Sequence, residues 1–148
     1  MELAKNKKAY FDYEILETQE AGVELKGYEV KSVRNKHLNL KGSYISEIAG
    51  ELFIKQMHIS PWKNLVNISA YEAERPRKVF LSKKKILYYA SKIKEGGYTI
   101  LPLELYLKGS LIKVRVGLAK GRKTFEKKQV LKERTLDKEA KIHLKKEY

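Results

Sequence analysis

Alternation of apolar and polar positions dominates this chain and divides it into short extended segments. Across residues 10–18, Phe11, Tyr13, Ile15 and, less cleanly, Glu17 fall on one side, with Tyr10, Asp12, Glu14 and Leu16 on the other. That period of two predicts a half-buried strand. Glu20-Ala21-Gly22 interrupts it, with Gly22 as the expected bulge or bend, and residues 23–26 resume extension. Behind Gly27, the helical spacing of Val30, Val33 and Arg34 predicts a short helix. Residues 43–48 and 52–57 flank Ala49-Gly50-Glu51, so a hairpin is the simplest reading. Residues 58–76 hold two of the three prolines and are expected to form a long surface connection.

Residues 77–81 predict another strand. Ser82 then caps a helix with an apolar stripe of Ile86, Tyr89, Ala90 and Ile93, and Gly96-Gly97 ends it. Residues 98–107 and 111–119, joined by Lys108-Gly109-Ser110, predict a second hairpin. In it Ile112, Val114, Val116 and Leu118 face one way, and Lys113 and Arg115 the other. Five or six antiparallel strands with a capping helix predict a mainly β fold with small helices. Closure into an OB-type antiparallel β-barrel would remove the edges of such short strands.

Composition adds a tail to that body. The chain has 148 residues, of which 43% are apolar, enough for one compact domain at residues 1–120. Net charge is +14, and the stretch from Lys120 to Tyr148 carries 11 Lys/Arg against 5 Asp/Glu. Within the tail at residues 121–148, Leu136, Ala140 and Leu144 recur every four residues and give one narrow apolar seam. So thin a seam does not offset the roughly 1–2 kcal/mol of backbone ordering per residue. The tail is therefore expected to be disordered when free and helical on a partner. The absence of cysteine excludes disulfides, zinc ribbons and thiol catalysis. No run approaches the roughly 18 apolar residues of a membrane span and the start of the chain lacks a signal-like apolar stretch, so a soluble, cytoplasmic protein is expected.

Little here supports catalysis. His37, His58 and His143 are isolated, Gly121 in Lys120-Gly121-Arg122-Lys123 lacks the spacing of a phosphate-binding loop, and the pairs Glu14/Glu17 and Glu72/Glu74 are commonplace. No enzyme activity, cofactor or metal is expected. Binding has more to stand on. Lys113 and Arg115, Lys120, Arg122 and Lys123, and Asn6, Lys7 and Lys8 would be gathered by a folded barrel into a phosphate-binding surface. Tyr10, Tyr13 and Tyr44 offer rings on which each stacked base would contribute roughly 1–3 kcal/mol. Structured RNA is the expected partner. A ribosomal-protein-like module coating rRNA remains open on charge alone, and a nuclease is disfavoured for want of an acidic cluster or a histidine pair.

Motifs run in order along the chain. They begin with Asn6-Lys7-Lys8-Ala9, Phe11-Asp12-Tyr13-Glu14-Ile15-Leu16-Glu17-Thr18, Glu20-Ala21-Gly22 and Glu29-Val30-Lys31-Ser32-Val33-Arg34. Ser43-Tyr44, Gly50-Glu51, Ile59-Ser60-Pro61, Arg77-Lys78, Gly97-Tyr98-Thr99 and Pro102-Leu103 follow. Tyr106, Lys113-Val114 and Gly117-Leu118-Ala119-Lys120-Gly121-Arg122-Lys123 complete the series. Together they resemble the small protein B family, the SsrA (tmRNA)-binding proteins, from Asn6 to about Arg134.

The resemblance implies an OB-type barrel and a role in trans-translation. It implies a body that binds the tRNA-like domain of tmRNA and supports its charging by alanyl-tRNA synthetase and its delivery by elongation factor Tu. It also implies a tail that enters the vacant decoding centre and mRNA path of a stalled ribosome. The implied RNA-facing positions are Asn6, Lys7, Tyr13, Glu20, Tyr44, Lys113, Lys120 and Gly121, with Phe80 near the same surface and Arg122 and Lys123 continuing it. The implied decoding-centre stretch is Phe125-Glu126-Lys127-Lys128, where His or Tyr, then Asp, then Lys-Arg is usual in the family. Phe125 can stack on a base but offers no polar atom. Lys36 and Gly42 replace a usual Gly and a usual Asp, which implies altered local turns.

Overall fold

The computed structural model describes residues 1–62 and 72–122. In chain order these form β1 (Glu2–Lys5), α1 (Lys7–Asp12), β2 (Tyr13–Val23), α2 (Gly27–Arg34), β3 (Leu38–Asn39) and β4 (Tyr44–Ile48). There follow β5 (Glu51–Lys55), β6 (His58–Ile59), β7 (Arg77–Phe80), α3 (Lys83–Glu95), β8 (Tyr98–Lys108) and β9 (Leu111–Gly121). The described part is mainly β, with small helices. Seven strands pair in the order β1-β8-β4-β5-β7-β2-β9, with a further pairing of β8 to β9, and β3 and β6 form a two-stranded sheet of their own.

Both hairpins form where the turn residues foretell them. Between β4 and β5, Ala49 and Gly50 adopt φ 52° and 81°, the two positive values of a type I′ turn. Helix α3 starts at Ser82, whose Oγ accepts a hydrogen bond from the Lys85 N–H at 3.3 Å, and it ends at Gly96. Lys36, where the resembling family has glycine, takes the left-handed φ of 62°.

Several expectations are corrected. Residues 10–12 are helical rather than extended, because Asn6 caps α1. Its Oδ1 accepts from the Ala9 N–H at 3.3 Å, and Ala9 is buried. Strand β2 begins at Tyr13 and runs unbroken through Glu20, Ala21 and Gly22. Gly22 is no bend: it lies in register with Phe80, close enough that a Cβ would stand 3.3 Å from the Phe80 Cβ. The irregularity of β2 lies between Ile15 and Glu17, and β8 has another between Pro102 and Glu104. Extension stops at Val23. The connection expected at residues 58–76 contains β6, and β1 is an addition that alternation did not reveal.

The main core lies on one face of the sheet. Ile45, Leu52, Ile54, Val79, Ile100, Val114, Val116 and Leu118 meet Val33 of α2 and Tyr89 of α3 there. A smaller cluster forms on the other face, where Ala9 of α1 packs with Leu101, Leu103 and Ala119 beneath Tyr10, Tyr13, Ile15 and Tyr44. Consecutive residues Val116 to Ala119 are therefore all buried. Gly117 is required by this double covering, since a Cβ there would lie 2.6 Å from Leu103 Cδ1.

One buried ionic cluster pins α2 to β7. Glu29 and Arg77 are both 0% exposed. Arg77 donates from Nε to Glu29 Oε2 at 2.8 Å, and also reaches the carbonyls of Met57 and Ala73. Arg75 reaches Glu29 Oε1, which also accepts from the Lys26 N–H at 2.9 Å and so completes the start of α2. Burial alone would raise the Glu29 carboxyl, but the Lys26 N–H and the two guanidinium groups outweigh it and hold the acid below its ordinary 4.5. Its contribution to stability is in place above that value and is lost as pH falls through the lower folded one. Glu29→Gln leaves Arg77 buried with its partner charge gone. The expected cost is about 3–5 kcal/mol, read as a fall in the urea midpoint at pH 7 that narrows towards acid; an unchanged midpoint would show the cluster to be inert.

Candidate nucleic-acid interface

Strand β2 carries candidate residues at both of its ends. At its start Tyr13 pairs in register with Gly121, and Glu14 pairs with Lys120. Arg122 closes this end, its N–H donating to the Asp12 carbonyl at 2.9 Å and its Nε to the Tyr13 carbonyl at 3.2 Å. Tyr13 and Tyr44 line one open cleft of about 330 Å³, with Lys8, Ser43 and Thr99 around it. Lys7 and Lys41 border an adjoining recess. Asn6 lies beneath, 3% exposed, with Nδ2 donating to the Pro102 carbonyl at 3.1 Å. Both ends of its side chain are thus engaged by the protein itself. Asn6 builds this surface rather than facing out of it.

The other end of β2 gathers a different set. Glu20 pairs with Arg115, Gly22 with Lys113 and Phe80, and Lys113 with Tyr106. Phe80 is 48% exposed, with Lys78 Nζ 5.3 Å from its ring centroid. Glu20 accepts from Tyr106 Oη at 2.6 Å and from Lys108 Nζ at 3.0 Å. These two bonds, the Tyr106 hydroxyl foremost, hold its carboxyl below the ordinary range. Burial first, and then the bond to Glu20, push the Tyr106 phenol up to about 12, so it remains a donor. The Arg115 guanidinium stands 5.6 Å from the Tyr106 ring. A carboxylate thus anchors Tyr106 and Lys108, with Arg115 and Lys113 beside them on the surface.

The expected single gathering is corrected by strand geometry. Lys113 and Lys120 are seven residues apart on an extended strand, about 23 Å at roughly 3.3 Å per residue. Lys113 therefore joins Glu20 and Phe80, while Gly121 and Arg122 join Tyr13 near Lys7 and Tyr44, and Lys120, opposite Glu14 and Tyr98, projects from the other face of the sheet. The residues Lys123, Phe125, Glu126, Lys127 and Lys128, the tail seam and His143 lie outside the described residues. Of the other histidines, His58 Nδ1 lies 3.8 Å from Glu74, and the His37 ring stands 6.1 Å from that of Trp62. Among the described residues no three His, Cys, Asp or Glu side chains come together as a metal site would require. No helix among them is long and apolar enough to cross a membrane.

The model of the SmpB protein family matches residues 3–146. The chain belongs to the SmpB family. An SsrA-binding protein of Caldicellulosiruptor saccharolyticus is 48% identical over 143 residues, covering 97% of this chain and 90% of that relative. That of Carboxydothermus hydrogenoformans is 42% identical over 146 residues, covering 99% and 97%. A solved structure described as tmRNA-SmpB, a journey to the center of the bacterial ribosome, contains a chain similar at TM-score 0.67 and 37% identity. That match covers 82% of this chain and 85% of the other.

In this SmpB-family chain, Tyr106, Lys108 and Lys78 complete the far surface, and sequence reasoning did not assign them a role there. Alternation along β8 puts Tyr106 opposite the buried Leu105, which is the one local signal it carries. Its partnership with Glu20 spans 86 residues and follows from register alone. Removing the acceptor tests the pairing. Glu20→Gln is expected to lower the Tyr106 phenol part of the way from about 12 towards 10.0, as read by phenolate absorbance at rising pH with Tyr106→Phe as the reference. An unaltered titration would leave burial as the whole cause.

Proposed function

We propose that this protein is an RNA-binding adaptor of trans-translation, acting by binding rather than by catalysis. Residues 1–120 form the body that holds the tRNA-like domain of tmRNA. Strand β9 carries the body on through Gly121, and the residues that follow Arg122 form a basic tail, disordered when free, that turns helical in the vacant decoding centre and mRNA path of a stalled ribosome. The observation that carries this reading is the division of cationic and aromatic side chains between the two ends of β2, in a chain of the SmpB family.

Both ends face RNA. Glu20, Phe80 and Lys113 face the folded RNA, with Glu20 orienting Lys108 rather than meeting phosphate. Lys7, Tyr13, Tyr44, Lys120, Gly121 and Arg122 at the other end face RNA as well, where Tyr13 and Tyr44 line an open cleft. Lys123 extends that surface, and Phe125, Glu126, Lys127 and Lys128 occupy the decoding centre. Elongation factor Tu and alanyl-tRNA synthetase join through tmRNA. A ribosomal partner makes the protein cytoplasmic. The sheet is read as a closed OB-type barrel, since the pairings β8–β4, β4–β5, β5–β7, β7–β2, β2–β9 and β9–β8 return to their starting strand.

Binding to the tRNA-like domain is expected to weaken steeply with salt, with a log–log slope of roughly 0.7–0.9 per phosphate engaged. Lys113→Ala should lower that slope by about one contact and leave the melting temperature in place. Affinity no higher than for an unrelated hairpin would refute the reading. Truncation after Gly121 is expected to preserve tmRNA binding and to abolish tag addition on stalled ribosomes; tagging that persists would deprive the tail of its decoding role.

A further inference from the structure

Helix α3 belongs to neither surface described above, yet it is the most lysine-rich element of the body. It carries Lys83, Lys84, Lys85, Lys92 and Lys94 against Glu95 alone. Tyr89 is buried in the core, and Ile86 and Ile93 pack against it. Lys85, Tyr88 and Lys92 share an adjacent flank, at positions i, i+3 and i+7. There the Nζ atoms of Lys85 and Lys92 stand 5.7 and 5.8 Å from the Tyr88 ring centroid. Lys92 Nζ is also 5.0 Å from the centroid of Tyr98. Tyr98 lies in register with Lys120 across β8 and β9. Cations and rings therefore alternate from Lys85 through Tyr88, Lys92 and Tyr98 to Lys120.

The acids along this track are Glu17, Glu95 and Glu14. Glu17 accepts from Tyr88 Oη at 2.5 Å, and Glu95 pairs with Lys92 at 3.5 Å. Glu14 is opposite Lys120. Glu17 fixes the tilt of the Tyr88 ring without neutralising a lysine. Tyr88 and Tyr98 are half-buried against the core, each with one side left to the lysines, and an ammonium over such a ring gains roughly 0.5–2 kcal/mol, little enough for both lysines to exchange the rings for phosphates. Seven helical residues separate Lys85 from Lys92, about 10 Å along the axis. Cations that follow a backbone, interleaved with flat rings for unstacked bases, are the arrangement that holds a single strand.

We propose that this flank of α3 binds an unpaired RNA strand, with Lys85 and Lys92 on its phosphates and Tyr88 and Tyr98 against its bases or riboses. The site is additional to the Glu20–Lys113 surface, and it rests on the reading of the protein as an RNA binder. The test uses the full chain and two probes, an oligoadenylate of about 12 nucleotides and the folded tRNA-like domain, titrated across a range of salt. Lys85→Ala with Lys92→Ala is expected to weaken oligonucleotide binding about tenfold and to lower its log–log salt slope by about 1.4, two single-strand contacts. Lys85→Arg with Lys92→Arg should keep the slope. The tRNA-like domain should be indifferent to the alanine pair and sensitive to Lys113→Ala.

Unchanged oligonucleotide binding by the alanine pair, with its melting curve intact, overturns the proposal. So does equal loss in the arginine pair, which would make the lysines structural, or equal loss in Lys113→Ala, which would merge the two surfaces. Failure of the underlying reading looks different: the wild-type chain would then bind the tRNA-like domain no better than an unrelated hairpin.

Discussion

Strand β9 is hydrogen-bonded on both sides, to β2 from Tyr13 to Gly22 and to β8 from Tyr98 to Lys108. Each of the three strands is 11 residues long, and their joint register decides which side chain stands beside which. Glu20 reaches Tyr106 and Lys108 only because β9 holds the strands that bear them at fixed offsets. The same pairing sets Lys120 between Glu14 and Tyr98. Nothing else in the described part spans both surfaces, so the geometry of either end depends on this three-strand strip.

Packing on both faces reinforces the strip. Val114, Val116 and Leu118 join the large core, while Ala119 meets Ala9, Leu101 and Leu103 under α1. Helix α1 therefore does two things at once. It covers an apolar patch on the outer side of the sheet, and it raises Lys7 and Lys8 beside the Tyr13–Tyr44 cleft. Asn6 joins these roles, since the side chain whose Oδ1 starts the helix ties it to β8 through Nδ2. The Glu29–Arg77 cluster performs the corresponding service for α2 and β7, and so steadies the strand that carries Phe80.

Local chemistry made much of the fold legible. The Ala49-Gly50 turn, the Ser82 cap and the Gly96-Gly97 stop each announce an element in a few residues, and those elements form where expected. Failure came where local preferences compete. Tyr10 and Phe11 favour a strand, yet the Asn6 cap and the burial of Ala9 make them helical. The candidate site was legible as an inventory of Lys7, Tyr13, Glu20, Lys113 and Lys120, because side-chain type is written in the chain. Its division into two ends was not, because it depends on strand lengths and offsets between residues as far apart as Glu20 and Tyr106. The pairing of Glu29 with Arg77, 48 residues on, was invisible for the same reason.

The irregularity at Leu16 has a consequence for how this chain tolerates change. Before it, odd-numbered residues of β2 oppose odd-numbered residues of β9, as Tyr13 does Gly121; after it, even oppose odd, as Glu20 does Arg115. One supernumerary residue thus shifts the parity of the strand halfway along and brings Tyr13 and Glu20 out on the same side. Exchanging Leu16, which is 44% exposed, for another side chain leaves that count intact. Excising it would remove the extra residue and leave a regular ladder, with Glu20 still outward beside Arg115 and Ala21 still inward beside Val114, so this is the place in the strand where a lost codon disturbs the register least.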